Sequence, residues 1–221
     1  MKKLSFICLT FLFIVLSVSP VLATSSLYNC VYYVDGTTYE YSNHDSMPTT
    51  GILDAEGLGI LTWNTSIVGN HNFVAFFDHE IDESINTFFN EYGLANGTPA
   101  SGQSWEIDEP GYAFGDIYSN VLSGSLDNTN SVPFGSEDDV SMAMGWEFSL
   151  GADEIATIKL SLTKNTPSSG FYLSHTDPDS NKTIYFSSTL SVSPVPEPTT
   201  MLLFGAGLVG LAGFGRKRFK K

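Results

Sequence analysis

Alternation of large apolar side chains with smaller or polar ones limits most strongly what this chain can fold into. Between residues 142 and 148, Met, Met, Trp and Phe occupy every second position. Ile158, Leu160 and Leu162 repeat the pattern, with Lys159 and Ser161 between them. A period of two places successive side chains on opposite faces of an extended strand. Both segments are therefore predicted β-strands with one buried face.

Turn signals and further apolar runs extend the pattern over residues 24–190. Asp35-Gly36 separates residues 30–34 from residues 37–41, which is a strong hairpin signal. Other runs of strand composition are 58–63, 72–77, 171–175 and 183–192, and the stretch with helical character is 84–92. Short strands without regular strand-helix alternation predict an all-β fold, an antiparallel β-sandwich of jelly-roll type.

The N-terminal segment has the pattern of an export signal. Lys2 and Lys3 precede an apolar run over residues 4–16, and Val21 and Ala23 supply small residues for a signal-peptidase site. We predict a signal peptide over residues 1–23, with cleavage after Ala23. Removal of the signal would leave Cys30 as the single cysteine, predicted to lie in a strand beside Val31 or to form an intermolecular disulfide.

Three features follow one another at the C-terminus. Val195-Pro196-Glu197-Pro198 is an extended peptide, because each proline fixes its own φ and restricts the residue before it. Residues 191–198 are a predicted linker. Residues 199–215 carry no charge and would span about 25 Å as a helix, which is a marginal transmembrane helix. The basic tail over residues 216–221 would remain cytoplasmic and act as a membrane stop signal, with the positive residues Arg216, Lys217, Arg218, Lys220 and Lys221.

This succession resembles the PEP-CTERM sorting signal of exopolysaccharide-producing Gram-negative bacteria. The same tail is also catalogued as the C-terminal domain of some ice-binding proteins. The resemblance covers residues 195–221. It implies that an exosortase in the inner membrane recognises Pro196, Glu197 and Pro198 and cuts nearby. The protein would then be an exosortase substrate, anchored transiently in the inner membrane with its domain in the periplasm, before reaching the cell surface or extracellular matrix.

The negative charge of the chain excludes nucleic acid as a partner. Between residues 24 and 195 the chain has 23 acidic and three basic side chains, and this excess of negative charge repels nucleic acid. Carboxylates cluster around residues 78–83, 106–109 and 137–139. Bound Ca²⁺ would relieve their repulsion, and Asp78, Glu80 and Asp82 would share one face of an extended segment. These three residues are the candidate metal ligands, and solvated acidic loops are the simpler alternative.

No sequence motif predicts an enzyme. The histidines are scattered, although His79 and His175 could join a metal site, and the chain contains no Gly-x-Ser-x-Gly, His-Glu-x-x-His or phosphate-binding loop. Paired carboxylates could cleave glycosides, but a chain so rich in acids contains such pairs by chance. We therefore predict no catalytic residues, with a secreted glycan-cleaving enzyme as the least favoured alternative.

The predicted mature role is structural or adhesive in an exopolysaccharide matrix. A Ca²⁺-dependent carbohydrate-binding module is the first alternative, because Trp63, Trp105, Trp146 and the tyrosines could stack on sugar rings. Ice binding would need a regular threonine array, which Thr37-Thr38 and Thr49-Thr50 do not form.

The two processing events predict a defined mature mass. Protein recovered from the surface and medium of its host is expected to begin near Thr24 and to end near residues 196–198, as measured by intact mass spectrometry. The C-terminal cut should disappear in a host that lacks the exosortase. A full-length C-terminus in the inner membrane of both hosts would show instead that the tail is a plain anchor.

Overall fold

The Asp35-Gly36 turn joins the first two strands of the domain, as the sequence predicts. Both residues have positive φ, 50° and 91°, which a tight hairpin turn requires.

In the computed structural model the described residues are 25–43, 45–82 and 88–195, together with Ala206 and Leu208, both helical. The predicted signal peptide, its cleavage at Ala23, the Pro196–Pro198 tripeptide, the basic tail and the remainder of the predicted transmembrane helix lie outside the described residues. Within the described part of the chain, no helix has the length and apolarity needed to cross a membrane.

Eleven strands and the α-helix α1 lie between residues 25 and 194 in the described part of the chain. In chain order they are β1 Ser25–Val34, β2 Thr37–Glu40, β3 Thr50–Leu53, β4 Gly59–Thr65, β5 Gly69–Ile81, β6 Tyr92–Asn96, β7 Gln103–Asp108, α1 Ile117–Ser123, β8 Ser141–Leu150, β9 Glu154–Thr163, β10 Tyr172–Asp177 and β11 Lys182–Pro194. The predicted strands lie within or overlap these elements. The predicted helix over residues 84–92 is wrong at its C-terminal end, where Phe88–Asn90 is a 3₁₀ turn and Tyr92 begins β6.

The strands form two antiparallel sheets. The order is β2-β1-β5-β8-β7 in the five-stranded sheet and β3-β4-β9-β11-β10-β6 in the six-stranded sheet. An all-β, antiparallel fold is therefore confirmed, whereas jelly-roll connectivity is not confirmed by these orders and stays a prediction.

The apolar faces of the two sheets meet in the main core. Phe77 of β5 packs edge-on against Phe186 of β11, with ring centroids 5.1 Å apart, and both side chains are fully buried. Met142, Met144 and Trp146 point into this core, as their alternation predicts. Cys30 is buried there as a free thiol, and burial raises its pKa to about 11.

The five-stranded sheet is buried on its outer face as well, which its sequence did not predict. Val74, Phe76 and Ala143 on that face pack against Ile117 and Val121 of α1. The helix ends at Gly124, whose left-handed φ of 72° closes the last turn. Ile117, Val121 and Leu126, in the connection from β7 to β8, therefore cover a face of the sheet that was expected to be exposed.

The last strand continues further than the predicted domain boundary at residue 190. Ser191, Val192, Ser193 and Pro194 pair with β9, ending at Pro194 opposite Glu154. The Val195 amide then donates a hydrogen bond to the Asp153 carbonyl at 2.7 Å. The first residues of the predicted linker thus belong to the sheet.

The Phe77–Phe186 contact predicts a large core penalty. Phe186→Ala should lower the free energy of unfolding by about 3 to 5 kcal/mol, because it leaves a cavity between the sheets. Phe134→Ala removes the same atoms from a side chain that is 73% exposed and should cost less than about 1 kcal/mol. Urea denaturation of both variants tests the difference, and equal losses would contradict the assignment of Phe186 to the core.

Candidate functional site

One open pocket brings together residues from all three carboxylate clusters of the sequence. It has a volume of about 380 Å³ and lies at the end of β5, beneath the loop that follows β7. Its acidic wall holds one or two members of each cluster: Asp78, Glu80, Glu109 and Asp139. Its aromatic wall holds four rings that are each at least half exposed: Tyr28, Phe89, Tyr112 and Phe114. We call this site the acidic aromatic pocket.

A β-bulge in β1 turns Tyr28 toward the pocket. Leu27 pairs with His79 and Asn29 pairs with Asp78, so Tyr28 is an extra residue without a partner on β5. In unbroken alternation Tyr28 would share the core face with Cys30 and Tyr32. The bulge instead leaves its ring 63% exposed, with its centroid 6.0 Å from that of Tyr112.

Tyr112 is held in place by hydrogen bonds from its hydroxyl group. The hydroxyl donates to Asp78 Oδ2 at 3.2 Å and accepts from Asn29 Nδ2 at 3.1 Å. Burial raises the pKa of Tyr112, the hydrogen bond donated by Asn29 opposes the rise, and the nearby charge of Asp78 adds to it. The ring therefore stays neutral and fixed, with one edge bonded to the sheet and the rest facing the pocket.

Asp139 reaches the pocket because its loop is anchored to the start of β6. The backbones of Glu91 and Asp138 exchange two hydrogen bonds, at 3.0 and 3.1 Å. Burial raises the pKa of Asp139 to about 6, and the nearby charge of Glu91 contributes the next largest part of the rise. Burial also raises the pKa of Glu109, and the neighbouring charges of Asp138 and Asp108 add to the rise. The pocket thus concentrates carboxylates whose negative charge is poorly solvated.

The predicted metal ligands Asp78, Glu80 and Asp82 do not all line the same pocket. Asp78 and Glu80 line the pocket, but Asp82 follows the end of β5 with a left-handed φ of 64°, which breaks the extended alternation. Asp82 is buried, and its Oδ2 lies 3.7 Å from Lys182 Nζ. Asp82 is therefore an ion-pair partner of β11 and not a third pocket ligand.

A different trio has convergent oxygens among the described residues. Glu106, Asp108 and Asp116 each offer an oxygen within 4.8 Å of the other two. Protein groups already bind two of them: Asn120 Nδ2 donates to Glu106 Oε1 at 2.9 Å, and the Asp116 amide donates to Asp108 Oδ2 at 2.8 Å. These carboxylates therefore fasten α1 and its preceding loop to β7.

The histidines have structural partners. His79 Nε2 lies 3.2 Å from the Gly57 carbonyl, and His175 Nε2 lies 2.5 Å from Glu91 Oε2, both in the interior. Burial lowers the pKa of His79 to about 4, so this ring is neutral in the folded state at neutral pH. His71 contacts the Asp35 carboxylate and the Ile67 carbonyl. His44 lies outside the described residues.

None of the three tryptophans lines the acidic aromatic pocket. Trp63 and Trp146 are buried in the core, and Trp105 packs against it beside Phe171. The exposed rings were missed because they come from a bulge, a 3₁₀ turn and a loop, none of which has periodic patterning. One local signal was available: Tyr112 and Phe114 follow Pro110-Gly111, a turn sequence directly after the carboxylates of residues 106–109.

The raised pKa of Glu106 predicts that the stability of the protein depends on pH. Burial raises its pKa from 4.5 to about 7, so its favourable contribution is complete below pH 4.5 and is lost as pH rises through 7. Glu106→Gln should make the slope of unfolding free energy against pH less negative over this interval, by the equivalent of about one proton. Glu147→Gln, at an exposed position, should leave the slope unchanged. Denaturant titrations at several pH values measure both slopes, and an unaltered slope in Glu106→Gln would contradict the assignment.

Comparison with known proteins identifies the C-terminal segment. Residues 194–218 match the PEP-CTERM protein-sorting motif. No curated protein and no solved structure matches the chain. The matched segment begins at Pro194, the last residue of β11, so the motif follows the folded sheet without a spacer. The chain therefore carries a PEP-CTERM protein-sorting motif, which supports secretion and cell-surface sorting with an exosortase as the processing partner.

Proposed function

We propose that this protein is an exosortase-processed surface or extracellular-matrix protein whose domain has an adhesive role. Its proposed partner is a carbohydrate polymer such as the host's exopolysaccharide, and its proposed binding site is the acidic aromatic pocket. The sorting motif supports the first part of this proposal. The observation that carries the second part is the meeting of four exposed rings and four carboxylates in one open pocket.

The pocket has the chemistry that sugars require. Aromatic rings such as Tyr28, Tyr112 and Phe114 offer flat apolar surfaces to the C–H faces of pyranose rings. Carboxylate oxygens accept hydrogen bonds from sugar hydroxyl groups. The site has both kinds of surface within a volume of about 380 Å³, which is in the size range of small-ligand pockets.

The pocket is open but contains one side chain that is held in place, Tyr112, and this arrangement favours ligand binding over catalysis as the role of the pocket. Tyr112 is held by Asn29 and Asp78, which would position a stacking ring before the ligand arrives. A site organised in advance loses less entropy on binding. We propose a binding module without catalytic residues, retained at the inner membrane by residues 199–215 until the exosortase acts.

Calcium dependence is the second candidate property. The convergent oxygens of Glu106, Asp108 and Asp116 support it, because Ca²⁺ prefers several carboxylate ligands. A bound cation near β7 would stabilise the loop that carries Tyr112 and Phe114.

A matched pair of phenylalanines tests the proposed function. Phe114 is 70% exposed in the pocket, and Phe134 is 73% exposed outside the set of residues that line it. On a glycan array that includes the host's polysaccharide, Phe114→Ala should weaken binding about tenfold or more, because it removes a stacking ring. Phe134→Ala should retain binding.

The same array with and without EDTA separates the alternatives. Loss of binding in EDTA, restored by Ca²⁺, would support the calcium-dependent module. Binding that EDTA does not alter would remove calcium from the proposal. No binding to any glycan would favour a purely structural role, and release of sugar from the host's polysaccharide would support the enzyme.

A further inference from the structure

The acidic aromatic pocket combines two surfaces that both favour positive charge. None of the described residues that line it is Lys, Arg or His. Aromatic faces attract cations through their quadrupole, and carboxylates attract them through charge. Neutral sugars need the rings but do not need four carboxylates. The composition of the walls therefore indicates a ligand that is itself positively charged.

Two of the carboxylates that line the pocket, those of Glu109 and Asp139, repel each other. Asp139 Oδ1 is buried and accepts no hydrogen bond from the described residues. Burial and neighbouring acids raise the pKa of both side chains, as described above. A cation placed between them would offset a repulsion that the fold leaves in place.

A small metal ion is a poorer match for these walls than an organic cation. Among the described residues, the three carboxylates whose oxygens converge within 4.8 Å are Glu106, Asp108 and Asp116, none of which lines the pocket. A metal ion needs several oxygens close around it and gains less from aromatic rings. An ammonium group carried on a carbon framework uses both walls, with its charge toward the carboxylates and its apolar body against the rings.

We propose that the acidic aromatic pocket binds the ammonium group of an amino sugar whose nitrogen is not acetylated. The amino-sugar framework rests on the proposed glycan-binding function, whereas the ammonium group follows from the charge and rings of the pocket. Glu109 and Asp139 accept hydrogen bonds from the ammonium group. Tyr112 and Phe114 contact the sugar ring.

Calorimetric titration of the protein purified from its host tests this proposal with two probes of equal length. One is an oligomer of β-1,4-linked glucosamine, and the other is the corresponding N-acetylglucosamine oligomer. At about 0.15 M ionic strength and a pH at which the amine is protonated, the glucosamine oligomer should bind at least about tenfold more tightly. A short lysine peptide of the same charge serves as the third probe.

Two charge-neutralising variants separate the pocket from general attraction to an acidic protein. Glu109→Gln should weaken binding of the glucosamine oligomer about tenfold. Glu147→Gln removes the same charge at an exposed position on β8 that does not line the pocket, and should change binding less than about twofold. Phe114→Ala provides a second pocket variant, and circular dichroism verifies that each variant is folded.

Each other outcome overturns a specific part of the proposal. Equal binding of the acetylated and free-amine oligomers would overturn ammonium recognition and leave glycan binding in place. Binding of the lysine peptide without binding of either oligomer would overturn the amino sugar and the glycan function together, and binding of the lysine peptide more tightly than the glucosamine oligomer would overturn the amino sugar alone. Equal weakening by Glu109→Gln and Glu147→Gln would show that charge attracts the oligomer without the pocket. Absence of binding by all three probes would overturn the inference.

Discussion

Burial of the five-stranded sheet on both faces is the constraint on which the rest of the structure depends. Its inner face packs against the six-stranded sheet through Phe77, and its outer face packs against α1 through Val74 and Phe76. The outer side chains are too apolar to face water, so the connection from β7 to β8 must cover them. This connection is also the element that carries Glu109, Tyr112 and Phe114. The pocket is therefore formed where the covering segment meets the end of β5.

The acidic side chains divide into two groups by what surrounds them. Glu106 and Asp108 are buried under the covering segment and accept hydrogen bonds from Asn120 and the Asp116 amide. Buried carboxylates are tolerated when such donors replace water. Glu109 and Asp139 face the pocket, where burial is partial and like charges are close. Carboxylates thus anchor the covering segment in one place and line an open pocket in another.

The sorting motif and the folded domain meet without a spacer. Pro194 ends β11 opposite Glu154, and the amide of Val195 makes the last backbone hydrogen bond of the sheet. Pro196 follows directly, and it cannot donate a ladder hydrogen bond because it has no amide hydrogen. A processing enzyme that acts near Pro196 would therefore work within a few residues of the C-terminal end of β11.

Local sequence determined the strands and the sorting segment, because both depend on short-range patterns. The alternation at residues 142–148 and 158–162 specifies a strand face wherever the strand is placed, and Asp35-Gly36 specifies a tight turn through its φ values. Proline positions, an uncharged apolar run and a basic tail likewise identify the motif at residues 194–218 without any tertiary contact.

The pairing of the sheets and the composition of the pocket were decided only by the tertiary structure. Asp78, Glu109 and Asp139 lie far apart in sequence and meet because β5, the loop after β7 and the loop before β8 converge. Asp82 does not line the pocket with Asp78 and Glu80, because its own left-handed φ places its side chain beside Lys182. Tyr28 becomes exposed through a single bulge. Such features depend on long-range packing and on single backbone conformations, which leave no periodic signal in the sequence.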